Sequence, residues 1–195
     1  MEEALETGDG AGRELRAFHE SHGAVFGSVG GRAVVERYGR PERAHRAVRG
    51  GVGVVEMPYD VVALSGTDRR AYLNNVVTAV VPDEDGRGYS AILLDPLGRI
   101  EAELAVYAAG DRLLAFAPPG VAEGVVEGWE TFIQDVRIRV ATDEFAVLGV
   151  HGPQATATVE GLLAGAAAPG AAFEFVRGTI GDASVSVVRT DAPTG

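Results

Sequence analysis

Three apolar stretches in the middle of the chain are joined by turns of only a few residues, and this spacing constrains the fold more than any other feature. The stretches are 89–94, 100–107 and 112–117, with an Asp-Pro-Leu-Gly turn at 95–98 and a Gly-Asp turn at 110–111. Proline, aspartate and glycine are the residues that tight turns use. A parallel crossover needs a dozen or more residues, so the three stretches are predicted to form antiparallel strands.

Helical patterns flank these strands and define the fold class. Proline at the first turn favours a short helix over 41–49, and Pro-Pro-Gly at 118–120 is expected to open another. Further helices are predicted over 12–22, 71–77 and 153–163, a small-residue linker over 164–172, and further strands over 24–29, 33–38, 61–64, 136–141, 145–150 and 185–189. The order predicts an α+β fold in which helices pack on antiparallel sheets.

Composition excludes several classes of function. The chain has 195 residues, no cysteine and a net charge of -11, and all 17 basic residues are arginine. An acidic surface poor in lysine is typical of halophilic, salt-adapted proteins; a GC-rich genome is the alternative cause. The charge disfavours nucleic-acid binding. The four histidines have no metal-ligand spacing. No apolar run approaches the roughly 20 residues of a membrane span, and the acidic N-terminus is unlike a signal peptide, so we expect a cytoplasmic protein.

Five short motifs in a fixed order carry a family resemblance. They are His-Arg-Ala-Val-Arg at 45–49 with Gly-Val-Gly-Val-Val at 51–55, Leu-Ser-Gly-Thr-Asp at 64–68, Gly-Tyr-Ser-Ala-Ile-Leu-Leu at 88–94 with Gly-Arg-Ile-Glu-Ala-Glu-Leu at 98–104, Val-His-Gly-Pro at 150–153, and Val-Arg-Thr-Asp-Ala-Pro-Thr-Gly at 188–195. Together they resemble the N-terminal half of the glycine cleavage T-protein (aminomethyltransferase) family. The Gly-Arg-Ile string is similar to related folate proteins that support iron–sulfur cluster assembly.

The resemblance implies a fold and a chemistry. It implies two α+β folate-binding domains followed by a β-barrel, with tetrahydrofolate as one-carbon acceptor and a lipoyl carrier protein as the partner that brings the aminomethyl group. On this basis we expect an N-terminal segment with helix and hairpin at 1–40, a first folate-binding domain at 41–142, and the start of a second at 143–195. The family's next residue is a pterin-binding glutamate, so we expect a polypeptide truncated before that glutamate and the barrel.

The resemblance also implies site residues. The family's paired aspartates match Ala102 and Glu103, so one carboxylate is absent and the other is longer by a methylene. Glu103 is therefore the candidate catalytic residue and, with Tyr89, a candidate folate contact; we expect the two side chains to converge on one pocket. The alternatives are ordinary ones: strand alternation favours a glutamate facing water and a tyrosine in the core. Phe116 stands where the family has asparagine.

Three further residues have a functional and a structural interpretation. Arg49, one helical turn after His45, is a candidate contact for the glutamate tail of folate; the alternative is pairing with surface glutamates. Asp68, together with Thr67, is expected to cap the 71–77 helix. His151, alone at a strand end, is more typical of a structural histidine.

Two functions remain as the outcome of the resemblance. The first is a tetrahydrofolate-dependent aminomethyltransferase of the T-protein type. The second is a non-catalytic folate-binding accessory protein for iron–sulfur cluster assembly or repair, which the missing carboxylate and the Gly-Arg-Ile string favour. A third class, the partner domain of a demethylase-type oxidase, would need a flavin domain outside this chain.

Overall fold

The computed structural model describes residues 8–81, 84–129 and 135–190, and side chains from residue 14 onward. The described part contains five α-helices and eleven β-strands. The helices are α1 (Gly8–Ser21), α2 (Pro41–Gly50), α3 (Arg69–Val76), α4 (Ala122–Trp129) and α5 (Ala155–Leu162). The strands are β1 (Ala24–Val29), β2 (Arg32–Tyr38), β3 (Gly53–Glu56), β4 (Asp60–Ser65), β5 (Gly88–Leu94), β6 (Ile100–Ala109), β7 (Arg112–Ala117), β8 (Arg137–Val140), β9 (Leu148–His151), β10 (Phe175–Ile180) and β11 (Ala183–Val188).

A five-stranded sheet in the order β5-β6-β7-β4-β8 forms the centre of the fold. Every pairing within it is antiparallel, and three antiparallel two-stranded ribbons accompany it: β1–β2, β3–β9 and β10–β11. The predicted α+β class with antiparallel sheets is confirmed. The short turns after β5 and β6 leave no room for any other pairing, as expected from their length.

Two strands escaped the sequence analysis. β3 has four residues and begins at a glycine, and β10 carries Arg177 and Gly178 in its middle, so neither has a clear alternating pattern. Each exists because a distant partner supplies its hydrogen bonds: β3 pairs with β9, and β10 with β11. Strand formation of this kind depends on tertiary context more than on local propensity.

The two faces of the sheet are covered differently. On one face, helices α3 and α4 bring Leu73 and Trp129 against strand residues such as Leu104, and together they form the larger hydrophobic core. On the other face, a smaller core gathers Tyr107, Phe175 and their apolar neighbours. β4 is buried on both sides from Asp60 to Leu64, because it lies between these two cores.

The start of α3 differs from the prediction. Asp68 occupies the N-cap position but makes no side-chain capping hydrogen bond. Instead the carboxylate of Asp135 accepts hydrogen bonds from the backbone N–H and the hydroxyl of Thr67 (3.1 and 2.6 Å). These bonds hold the pKa of Asp135 below its usual value. The capping assignment of Asp68 is therefore wrong: a distant carboxylate just before β8 serves this turn.

The predicted division into units 1–40, 41–142 and 143–195 stays a prediction. β3 and β9, which lie on opposite sides of the predicted boundary at residue 142, are hydrogen bonded from Gly53 to Glu56. The 3-10 turn Thr142–Glu144 lies at that boundary, and the hydroxyl of Thr142 accepts a hydrogen bond from Val61 N–H. Among the described helices, none combines the length and apolar character that crossing a membrane requires.

Substitution of Gly66 tests how closely the turn before α3 packs against Asp135. Its φ is +102°, and a Cβ atom there would lie 2.2 Å from the carbonyl oxygen of Asp135. Gly98, with φ +79°, has nothing within 4 Å of such an atom, so it serves as the matched control for positive φ alone. We expect Gly66→Ala to lower the free energy of unfolding by about 3 kcal/mol and Gly98→Ala by only about 1 kcal/mol, as measured by denaturant unfolding. Equal losses would contradict the packing at Gly66.

Candidate functional site

Glu103 lies on the less covered face of the central sheet. It is exposed, whereas its neighbours Ala102 and Leu104 are buried in the larger core. In the β5–β6 pair Glu103 stands opposite Ile92, which is partly exposed. Because residues opposite one another in an antiparallel pair share a face, Glu103 and Ile92 belong to the same open surface.

An aromatic cluster borders this surface, and the sequence analysis did not identify it. Phe116 on β7 pairs with Ala105, which lies two residues after Glu103 and so on the same face. Its ring packs edge to face on Tyr107 at 5.7 Å and Tyr59 at 6.4 Å between centroids. Burial raises the pKa of Tyr107 to about 12, with Tyr59 adding to the effect, so Tyr107 stays a neutral aromatic group. The surface thus combines a carboxylate with a preformed aromatic edge.

Tyr89 does not share this surface. In the β5–β6 register Tyr89 stands opposite Val106, and it packs against the larger core on the helix-covered face. The expected convergence of Tyr89 and Glu103 on one pocket is wrong, because the two positions lie an odd number of residues apart in the ladder and therefore face opposite ways. The hydroxyl of Tyr89 is buried without a hydrogen-bond partner among the described residues. Burial raises the pKa of Tyr89 well above the usual value, and the charge of Arg70 opposes this effect.

The position of Ala102 explains the residue itself. Its side chain is 4% exposed and belongs to the larger core, with Leu93 opposite it on β5. A carboxylate at this position would be buried among apolar side chains, at a high desolvation cost. Of the two positions matched to the family's carboxylate pair, only Glu103 therefore opens to the less covered face.

Arg49 lies in the last turn of α2, a helix outside the central sheet, and its side chain is exposed. Among the described residues no carboxylate lies within ion-pairing distance of it, and the alternative of surface pairing with glutamates stays a prediction. His45, one turn earlier on the same helix, is exposed too. The assignments of Glu103, Tyr89 and Arg49 as ligand contacts stay predictions.

The comparisons with known proteins agree with the fold and with the order of motifs. The model of the GCVT N-terminal domain family matches residues 15–191 of the chain. The chain belongs to this family. Two relatives are aminomethyltransferases: that of Nitrosococcus oceani is 29% identical over 153 residues (74% of this chain, 40% of the relative). That of Rubrobacter xylanophilus is 24% identical over 177 residues (88% and 47%).

A solved structure shares the fold of this GCVT N-terminal domain. The crystal structure of glycine cleavage system aminomethyltransferase T from Bartonella henselae superposes with a TM-score of 0.69 at 22% sequence identity. The match covers 83% of this chain and 45% of that chain. The chain thus corresponds to the N-terminal half of the T-protein fold and spans less than half the length of the proteins it matches.

In this GCVT N-terminal domain, the carboxylate of Asp60 on β4 links the start of α4 to β2. The sequence analysis did not identify this residue. One carboxylate oxygen of Asp60 accepts hydrogen bonds from the backbone N–H groups of Gly120, Val121 and Ala122 (2.8, 2.8 and 3.0 Å), which form the start of α4. The other oxygen lies 3.1 Å from a guanidinium nitrogen of Arg32 on β2. Burial alone would raise the pKa of Asp60, but these hydrogen bonds outweigh it and hold the pKa below its usual value.

A sequence signal for this role exists in retrospect. The segment before α4 is Pro-Pro-Gly-Val, which contains none of the usual N-cap residues Ser, Thr, Asp or Asn. A helix start without a local cap must find its acceptors elsewhere or meet water. An aspartate that opens an otherwise apolar core strand was the available candidate.

A second buried polar group ties the N-terminal elements together. His19 of α1 is 7% exposed; its Nδ1 is hydrogen bonded to the hydroxyl of Tyr38 at the end of β2. Its Nε2 lies 3.0 Å from a carboxylate oxygen of Glu56 on β3. No group of three or more metal-ligating side chains lies together in the part of the chain that the structure describes.

Replacement of Asp60 tests the clamp. We expect Asp60→Asn to lower the free energy of unfolding by about 3 kcal/mol, because the amide N–H₂ faces the Arg32 guanidinium and the charge that attracts the three N–H groups is lost. Denaturant unfolding at neutral pH measures this loss. Asp143→Asn, which alters an exposed carboxylate in the 3-10 turn, is the control and should stay within about 0.5 kcal/mol of wild type.

The same variant has a pH signature. The folded pKa of Asp60 lies below the value of an unfolded aspartate, so its stabilisation is complete above about pH 4 and is lost as the pH falls through the folded pKa. Below that range Asp60→Asn and wild type should converge in stability. A constant difference down to the acid transition would contradict the role of the charge.

Proposed function

We propose that the chain binds tetrahydrofolate at the less covered part of this sheet face, around Glu103 on β6 and Ile92 on β5, with Glu103 as the carboxylate that orients it. The observation that supports this most directly is that Glu103 is the exposed carboxylate of the family's motif and lies on the same face as Phe116 and its aromatic neighbours. We further propose that the protein of which this surface is part carries out aminomethyl transfer, with a lipoyl carrier protein as donor.

The residues on this face fit a reduced folate in chemical type. A pterin ring is flat and carries polar N–H groups, and a carboxylate such as Glu103 can accept a hydrogen bond from one of them. Ring edges and faces such as those of Phe116 and Tyr59 suit the flat body of the ligand. A surface of this composition, largely apolar with one or two oriented polar groups, is the common form of a small-molecule site.

The division of labour follows from these groups. Folate supplies the nitrogen that accepts the one-carbon unit, so the chain's own residues need only bind and orient it and hold a charge near the reacting nitrogens. Glu103 at neutral pH is a hydrogen-bond acceptor and a negative charge, which would favour a developing cation at that place. Its extra methylene relative to aspartate alters where that charge lies.

The accessory function is the second candidate, and one observation favours it. Ala102 occupies the first carboxylate position and is buried, while Phe116 stands at a position where the resemblance leads us to expect asparagine. Both changes remove polar groups and keep apolar surface. A site of that kind retains binding more easily than turnover, because lost polar groups reduce differential stabilisation of the transition state.

Glu103→Gln tests the proposed binding site. We expect the dissociation constant for tetrahydrofolate, measured by calorimetry, to rise about 10- to 100-fold, since bonds to a charged acceptor contribute about 1.5–3 kcal/mol. Glu160→Gln on the exposed surface of α5 is the matched control and should bind as wild type does. Equal affinities of wild type and Glu103→Gln would remove Glu103 from the site.

Turnover distinguishes the two candidate functions. Aminomethyl transfer is assayed with a lipoyl carrier protein and tetrahydrofolate, at low and at high salt because halophilic character is itself a prediction. Transfer supports the aminomethyltransferase, whereas folate binding without transfer supports the accessory role. Absence of any folate binding contradicts both.

Tyr89→Phe tests the remaining tyrosine assignment. The variant removes a buried hydroxyl that has no hydrogen-bond partner in the part of the chain that the structure describes, so we expect the free energy of unfolding to stay equal or to rise by about 1 kcal/mol. Thermal unfolding measures this, and folate calorimetry on the same sample decides the ligand assignment. A weaker affinity in a fully stable variant would support contact from the helix-covered side; an unchanged affinity would leave Tyr89 to the core.

A further inference from the structure

The densest run of arginine on the chain lies at residues 37–49, and of its arginines only Arg49 is also a candidate folate contact. The segment holds five arginines at a regular spacing of three and a single glutamate, a net charge of +4. The other 182 residues therefore have a net charge of -15, and the two parts together give the net charge of -11. A positive segment on so acidic a chain creates a local field opposite to that of its surroundings.

Four of the five arginines line an open groove between the end of β2 and the start of α2. Arg37, Arg40, Arg43 and Arg46 surround it together with Gly39, Pro41 and Glu42, and its volume is about 880 Å³. All four arginines are exposed, and α2 buries no residue. The groove is thus a surface whose main chemical content is guanidinium.

Local carboxylates do not neutralise these side chains. Arg37 donates to the carbonyl oxygen of Gly39 at 3.5 Å and Arg46 to that of Glu42 at 3.3 Å. Among the residues that the structure describes, no carboxylate lies within 4.0 Å of a guanidinium of the four. By contrast Arg16 and Arg99, elsewhere on the surface, each pair with an acidic residue four positions away.

Two of the arginines also oppose the helix on which they lie. Arg40 is the N-cap residue of α2 and makes no capping bond, and Arg43 lies in the first turn. A positive side chain at the N-terminus of a helix is unfavourable, because the macrodipole places positive charge there. Glu42 in the same first turn offsets part of this repulsion. Positions that break a local rule are candidates for another role.

We propose that this groove, lined by Arg37, Arg40, Arg43 and Arg46, binds an acidic segment of a partner protein. Carboxylate side chains match the planar guanidinium fork in two-point contacts. A series of separate cations over an open groove suits several carboxylates in a row better than one enclosed anion. A long polyanion such as nucleic acid extends beyond the groove and meets the strongly negative remainder of the chain, which repels it.

Octaglutamate, labelled with a fluorophore, is the probe, with octaglutamine as the neutral control peptide. Anisotropy at low ionic strength should show saturable one-to-one binding of octaglutamate and none of octaglutamine, with affinity falling as salt is added. Absence of octaglutamate binding at low salt, or equal binding of the two peptides, overturns the proposal.

Two double variants with the same change in charge localise the site. Arg40→Gln with Arg43→Gln should weaken octaglutamate binding about tenfold or more, because close charge pairs are lost. Arg137→Gln with Arg177→Gln, exposed arginines of β8 and β10, should bind within about twofold of wild type. Equal loss in both would show a general charge effect and overturn the site.

Three further measurements test a structural role of these arginines and the two other possible occupants of the groove. The Arg40/Arg43 variant should melt at or above the wild-type temperature, since a repulsion at the start of α2 is removed; a lower melting temperature would assign these arginines a structural role. Oligothymidylate of equal charge should bind more weakly than octaglutamate, and tighter binding would assign the groove to nucleic acid. Sedimentation should show a monomer at low salt, and self-association lost in the variant would make a second copy the occupant.

Discussion

The carboxylate of Asp60 is the interaction on which the rest of the arrangement depends. Asp60 is the first residue of β4, the strand that is buried between both cores. Its carboxylate accepts hydrogen bonds from three backbone N–H groups at the start of α4 and from the guanidinium of Arg32 in the N-terminal hairpin. The carbonyl oxygen of Pro119 in the same loop leaves no room for a side chain at Gly30 in the hairpin turn. One buried, fully bonded charge thus sets where sheet, helix and hairpin meet, and a buried charge is tolerated only when it is paired in this way.

The alternation of side chains along β6 determines which residues lie on each face of the central sheet. Ala102 and Leu104 point to the helix-covered core, and Glu103 points to the open face beside the aromatic cluster of Phe116. A one-residue change of register would exchange these roles. The proposed folate surface is therefore a property of strand pairing, and the loss of one family carboxylate at Ala102 coincides with a position that faces the apolar core.

Charge is distributed as unevenly as polarity. The chain as a whole is acidic, with a net charge of -11, which favours solvation and disfavours contact with phosphate backbones, while the 37–49 segment concentrates arginine around one groove. The two proposed binding surfaces differ accordingly. The folate face offers the Glu103 carboxylate beside aromatic rings, whereas the arginine groove offers several cations that form no ion pair among the described residues, so the two surfaces present different groups to a ligand.

The sequence by itself determined the antiparallel α+β class, most helices and strands, and the family, because turn chemistry, apolar spacing and motif order are local properties of the chain. It also determined that Glu103 faces away from the larger core, through simple alternation. Tertiary structure alone decided what depends on distant partners: the strands β3 and β10, the hydrogen bonds of Asp135 to Thr67 just before α3, the Asp60 clamp, and the separation of Tyr89 from Glu103. Those features rest on pairings between segments far apart in the chain, and local residue patterns carry no information about which distant group will complete a hydrogen bond.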